Sequence, residues 1–179
     1  MNENSVVAKI QQINDQTDHY IKQIREAHKL STKGSHLSFV SYFSHSLSVA
    51  EEKGEDHVLL GNYTVKNTGT VPIHSPVLFI RIQSDTEFSF SGKYKQGKST
   101  ANIQIPWERL EVEGSNPSSE YWLKPSRETT IGVNEQVVFQ NFQLKWTYEN
   151  RAQLLVEGFT YSQEVKEGIA SLNSISVRG

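Results

Sequence analysis

His36-Leu37-Ser38-Phe39-Val40-Ser41-Tyr42-Phe43-Ser44-His45-Ser46-Leu47-Ser48-Val49 is the stretch whose period decides the fold. Leu37, Phe39, Phe43, Leu47 and Val49 share one face, and the other face is mostly serine. A period of two belongs to a strand with one side turned inward, not to a helix. The period recurs downstream. Strands are expected over Val58–Asn67, Val77–Ile82, Phe88–Phe90, Tyr121–Lys124, Thr129–Val133, Val137–Tyr148, Leu154–Tyr161 and Ser171–Val177. Glu164–Ala170 offers a competing helical turn. Polar breaks separate these runs, at Glu51–Asp56 and at Asn67-Thr68-Gly69-Thr70. No helical pattern lies between strands, so parallel α/β architecture is excluded. An antiparallel two-sheet sandwich is predicted, with a barrel as the second choice. Phe79, Phe142 and Trp146 fall in phase with the strongest strand patterns and are expected in its core.

Upstream of Ser35 the period is different. From about Ser5 to Leu30 there is no Gly or Pro, and Val6, Ile10, Ile13, Thr17, Tyr20, Ile24 and Ala27 follow a 4-3 spacing. That is the seam of an amphipathic, coiled-coil-like helix. Asn4 or Ser5 caps its start, Lys29 and Lys33 suit its C-terminal end, and Gly34 stops it. A one-sided helix must bury that side. It can pair with its own copy, dock on the β domain, or meet another protein. Two units are therefore expected: a helix over residues 1–33 and a β-sandwich over 34–179. Val6, Ile10, Ile13, Tyr20, Ile24 and Ala27 are the oligomerisation candidates.

The 179 residues suffice for one domain with a real core, and 36% apolar content is that of a folded chain. A net charge of −2 gives no field that would favour nucleic acid. With no cysteine there is no disulfide, thiolate metal site or Cys nucleophile. The polar start Met1-Asn2-Glu3-Asn4-Ser5 and the lack of any long apolar run predict a cytoplasmic protein without a membrane span.

Tyr63-Thr64-Val65-Lys66-Asn67-Thr68-Gly69-Thr70, followed by Pro72, resembles the bacterial immunoglobulin-like modules in which a strand ends in Asn-Thr-Gly. Leu123-Lys124-Pro125 with Glu128, then Phe139–Trp146, is similar to the later half of such modules. Asn-x-Gly is expected to supply positive φ where the chain crosses between sheets. The resemblance implies an immunoglobulin-like sandwich with an adhesive role and no catalytic residues.

His19, His28, His36, His45, His57 and His74 form no metal-ligand spacing, and no metal or cofactor site is predicted. Neither a nucleophile elbow, a phosphate loop nor a dinucleotide fingerprint is present, so no enzyme is expected. One segment breaks the strand pattern. Gly92–Ser119 carries Lys93, Tyr94, Lys95, Lys98 and Trp107, with a short possible strand at Ala101–Ile105. Together with Tyr121 and Trp122 these are the binding candidates, because loops on a rigid scaffold carry recognition. The expected function is protein interaction or assembly, with the helix oligomerising or tethering and the sandwich loops binding a partner. The alternative is a carbohydrate-binding module that presents flat, exposed Trp and Tyr rings.

Overall fold

The structure is a computed structural model that describes residues 20–22, 34–96, 106–147 and 152–178. The chain divides into two compact units, residues 1–36 and 37–179. Most of the expected helix lies outside the described residues, including Val6, Ile10, Ile13, Ile24 and Ala27. Within it Tyr20, Ile21 and Lys22 are helical and exposed. No helix among the described residues is long and apolar enough to cross a membrane.

The second unit is all β. Its strands are β1 (Phe39–Ser48), β2 (Asp56–Asn67), β3 (Ile73–His74), β4 (Val77–Ser84), β5 (Ser89–Ser91), β6 (Tyr94–Lys95) and β7 (Trp107–Leu110). They continue with β8 (Glu120–Pro125), β9 (Thr130–Ile131), β10 (Gln136–Thr147), β11 (Gln153–Tyr161), β12 (Ile169–Ala170) and β13 (Ile175–Arg178). A four-stranded sheet has the order β1-β2-β10-β5. A larger sheet has the order β12-β11-β4-β8-β7-β6, with β13 also on β11. A two-stranded pair, β3-β9, stands apart from both. The competing helical turn at 164–170 does not form, and that stretch ends in β12.

The inner faces of the two sheets share one core, which makes the unit sandwich-like. Phe39, Phe43, Leu59, Tyr63, Phe139, Phe142, Leu144 and Trp146 come from the smaller sheet. Leu78, Ile80, Ile82, Tyr121, Leu123, Leu154 and Val156 come from the larger one. Two glycines make room for the rings. A Cβ on Gly61 would lie 2.2 Å from the Phe142 ring, and one on Gly158 2.3 Å from that of Tyr63. The Tyr63 hydroxyl donates to Ser41 Oγ at 3.0 Å and lies 3.1 Å from Thr160 Oγ1, so a buried polar link crosses between the sheets. Burial raises the Tyr63 pKa.

Several expectations need correction. Phe139 and Phe142 both point inward although three residues apart. A bulge between them, with Asn141 at φ 54° and its N–H on Asn62 Oδ1, restores the phase for Phe142, Leu144 and Trp146. Phe79 is not in the core. Leu78, Ile80 and Ile82 take the inner face of β4, and Phe79 is half-buried on the outer one. Leu47 and Val49 are exposed, because β1 outruns the cover given to Phe39, Ser41 and Phe43. The Asn-Thr-Gly turn does not work through positive φ, since neither Asn67 nor Gly69 has one. Asn67 is instead fully buried. Its Nδ2 donates to Val71 O and Ile131 O, and its Oδ1 accepts the Gly69 N–H. The side chain acts as a substitute for backbone pairing at the strand's end.

Candidate functional site

The residues proposed from Gly92–Ser119 separate into inner and outer groups. Trp107 and Tyr121 are buried, with Trp107 edge-on to Phe139 at 5.7 Å and Tyr121 against Phe90 at 4.2 Å. Tyr94 is half-buried beside Phe90 and Phe139, and burial raises its pKa despite the nearby Arg109. Lys93 is exposed, and Lys95 is half-buried in β6. Lys98 and Ala101–Ile105 lie outside the described residues.

Arg109 carries no motif, and the sequence reading misses it. Its guanidinium sits 4.4 Å from the Tyr121 ring centroid and donates to Pro117 O and Glu120 O. Tyr121 Oη adds a bond to Ser118 O at 3.1 Å. The 116–120 turn is thus fastened to β7 and β8. An arginine following a Trp at strand spacing is the signal that points to an inward-facing cation.

Trp122 is the one candidate aromatic turned outward. Register places Phe159 opposite Phe79, Phe79 opposite Trp122 and Trp122 opposite Leu110. One apolar row therefore crosses β11, β4, β8 and β7 on the outer face of the larger sheet. The Phe79 and Trp122 rings are 4.3 Å apart at 22°, and Phe159 follows at 5.8 Å from Phe79. Tyr161 reaches past Val77 to within 5.2 Å of Trp122. Adjacent strands are about 4.8 Å apart, and at 4.3 Å and 22° the Phe79 and Trp122 rings turn a face to each other. Charged pairs flank the row on both sides. Arg81 Nη2 lies 2.8 Å from Glu157 Oε2, with its guanidinium over Phe159, and Lys124 Nζ lies 3.5 Å from Glu108. The Trp122 indole N–H is out of water and has no acceptor among the described residues.

A second polar cluster lies at the β3 end. Glu164 accepts from the His74 ring nitrogen Nδ1 at 2.6 Å and from the His74 main-chain N–H, while Ser162 Oγ accepts the Glu164 and Val165 N–H groups. Slight burial raises the Glu164 pKa, but the bonds from His74 outweigh it and leave the carboxyl below its ordinary range. This cluster ties the 162–165 turn to β3. Among the described residues no group of three or more His, Asp and Glu could hold a metal ion.

No family model matches the chain, and no curated relative matches it. Among solved structures it is similar to an ApaA protein from Bordetella pertussis at 7% identity and TM-score 0.39, covering 79% of this chain and 93% of that one. The sporulation control protein Spo0M from Bacillus subtilis matches at 14% identity and TM-score 0.31, over 78% of this chain and 48% of that one. An exo-β-N-acetylglucosaminidase from Vibrio harveyi matches at 10% identity and TM-score 0.31, over 78% of this chain and 17% of the enzyme. These likenesses are too distant to carry a fold or an activity to this chain.

Proposed function

We propose that this chain is a non-enzymatic protein-binding module of immunoglobulin-like topology, whose larger sheet presents its outer aromatic row to an apolar polypeptide segment. The strand orders β1-β2-β10-β5 and β13-β11-β4 support the topology. They run as A-B-E-D and G-F-C do in a constant-type immunoglobulin sandwich. This chain departs from that pattern where β5 precedes β6, β7 and β8, and it lacks the inter-sheet cysteines. A cytoplasmic setting suits a cysteine-free chain.

The aromatic row carries the proposal. Its rings lie against one another, Phe79 on Trp122 at 4.3 Å with Phe159 and Tyr161 beside them, so neighbours occupy the faces between them. A sugar stacks on an open ring face, whereas a polypeptide packs apolar side chains against edges and ridges. The pairs Arg81–Glu157 and Lys124–Glu108 form the kind of charged rim that surrounds an apolar interface centre. The unpaired Trp122 N–H would gain an acceptor from a main-chain carbonyl of the partner once the rim shifts slightly. In the same reading the N-terminal seam, from Val6 to Ala27, assembles or tethers the module, and Ile13→Asp with Ile24→Asp lowers its solution mass.

A synthetic peptide library and a set of soluble oligosaccharides, each titrated against tryptophan fluorescence, test the binding mode. Peptides bearing Leu, Ile or Phe are expected to bind, with affinity falling about tenfold, or about 1.4 kcal/mol, in Phe79→Ser. Quenching by oligosaccharides without peptide binding would overturn the proposal in favour of a carbohydrate-binding module.

A further inference from the structure

β1 is an edge strand whose free edge is treated in two ways along its length. The main-chain groups of Ser41 and Phe43 point away from β2, so strand alternation puts those of His45 and Leu47 on the same free edge. A late segment of the chain covers the first half. Leu172 N–H donates to Ser41 O at 2.7 Å. The Asn173 amide accepts the Phe43 N–H at 2.8 Å and donates to Phe43 O at 3.0 Å, standing in for one residue of a paired strand. No strand among the described residues pairs with the second half, at His45 and Leu47. The side chains there are open too, with Leu47 39% and Val49 62% exposed.

An unpaired edge is a template for another strand, and proteins that must stay apart guard such edges with charge, proline or a bulge. This one has no guard. Residues 37–50 contain no Asp, Glu, Lys, Arg, Pro or Gly, and the β1–β2 register runs from Phe39 to Ser48 without a shift. The missing charge also indicates which strand fits. A charged foreign strand would be chosen by opposite charges on this edge. In a two-fold antiparallel pair, a charge near the axis meets its own copy, so a self-pairing strand must be neutral there.

We infer that His45–Val49 is a self-association edge, at which β1 pairs antiparallel with β1 of a second copy about a two-fold axis at Leu47. Leu47 then faces Leu47, Ser46 faces Ser48, and His45 faces Val49. Leu47 and Val49 lose their exposure, and the two four-stranded sheets continue into each other. Centring on Leu47 leaves Phe43 to Asn173 in each copy. This edge shares no residue with the N-terminal seam or the aromatic row.

The absence of cysteine gives a clean test. Residues directly opposed in a hydrogen-bonded antiparallel pair have Cα atoms about 5.5 Å apart, within disulfide reach. In the full chain, Leu47→Cys is expected to oxidise to a covalent dimer about tenfold faster than Val133→Cys, since pairing raises the local thiol concentration. Val133 is 46% exposed in the turn between β9 and β10. A small edge interface is weak, so light scattering should show a mass doubling as concentration rises toward about 1 mM. With Ile13→Asp and Ile24→Asp already present to remove any association through the N-terminal seam, Leu47→Lys should abolish that doubling with circular dichroism unchanged. Equal oxidation rates for the two cysteine variants would overturn the inference. So would an association that persists in Leu47→Lys on the Ile13→Asp, Ile24→Asp background. Association that only the two Asp substitutions remove, with none left for Leu47→Lys to abolish, would likewise overturn it in favour of the seam.

Discussion

The two large sheets contribute alike to the core and differ in what they turn to solvent. The smaller sheet's outer side mixes Ser44, Ser46, Asn62, Lys66 and Lys145 with Val40, Tyr42, Val58, Leu60 and Val138, which are interspersed among those polar residues. The larger one shows Phe159, Phe79, Trp122 and Leu110 in a single row. A sheet that only closes a core has no reason to gather outer aromatics into a row, where they invite aggregation. The difference is one of arrangement: the larger sheet gathers its outer apolar side chains into one row, and the proposed binding rests on that row. In the smaller sheet the exposed feature is its edge instead, at His45–Val49.

That contrast makes quantitative demands. The largest effect should come from the inner side: Trp146→Ala removes a ring that is 3% exposed and should cost about 3–5 kcal/mol, read by chemical denaturation. A loss below about 1 kcal/mol would break the claim that the inner faces hold the fold. Asn67→Ala follows, at about 2–3 kcal/mol, because Val71 O, Ile131 O and Gly69 N–H lose their buried partner. Phe79→Ala should cost only about 1 kcal/mol, in line with a cross-strand aromatic neighbour on a half-buried face, while peptide binding falls. If it costs as much as Trp146→Ala, the outer row is structural and the contrast fails.

The smallest effect concerns pH. The Glu164 carboxyl has a lowered pKa, so its contribution is present above the ordinary carboxylate range and is lost as pH falls through the folded-state value. Glu164 is partly exposed, so the contribution should be a few tenths of a kcal/mol. Thermal melts of Glu164→Gln should lack that part of the acid-side decline, and an identical pH profile would remove the pair from the account.

The strands were legible where one face was polar. Phe39 and Phe43 stand out in the alternation with serine at Ser38 and Ser44, and Leu144 and Trp146 stand out between Gln143, Lys145 and Thr147. Val77–Ile82 was harder to read, since Val77 and Phe79 make the side they share with Arg81 almost as apolar as the Leu78, Ile80 and Ile82 side. That is why Phe79 is expected in the core and stands outside it, and why the aromatic row escapes a linear reading. Trp122 is identified as a candidate, but its neighbours Phe79 and Phe159 come from strands about 40 residues away on either side. Trp107 reads as a loop aromatic because β6 and β7 are too short for any pattern, at two and four residues, whereas Tyr121 lies in the expected strand at Tyr121–Lys124 and turns to the core. Lys98 and the seam from Val6 to Ala27, apart from Tyr20, fall where the structure offers no description.

The Asn173 clasp on Phe43 joins residues 130 positions apart. During synthesis, at about 5–20 residues per second, the ribosome needs on the order of 10 s to make that interval. Through all of it the uncharged first strand can pair with β2 on one side while its other side stays bare. Neighbouring nascent chains on one message are then the copies it meets first. The order of the sequence thus leaves the edge on which the inferred self-pairing rests uncovered through synthesis, until residues 172 and 173 close half its length.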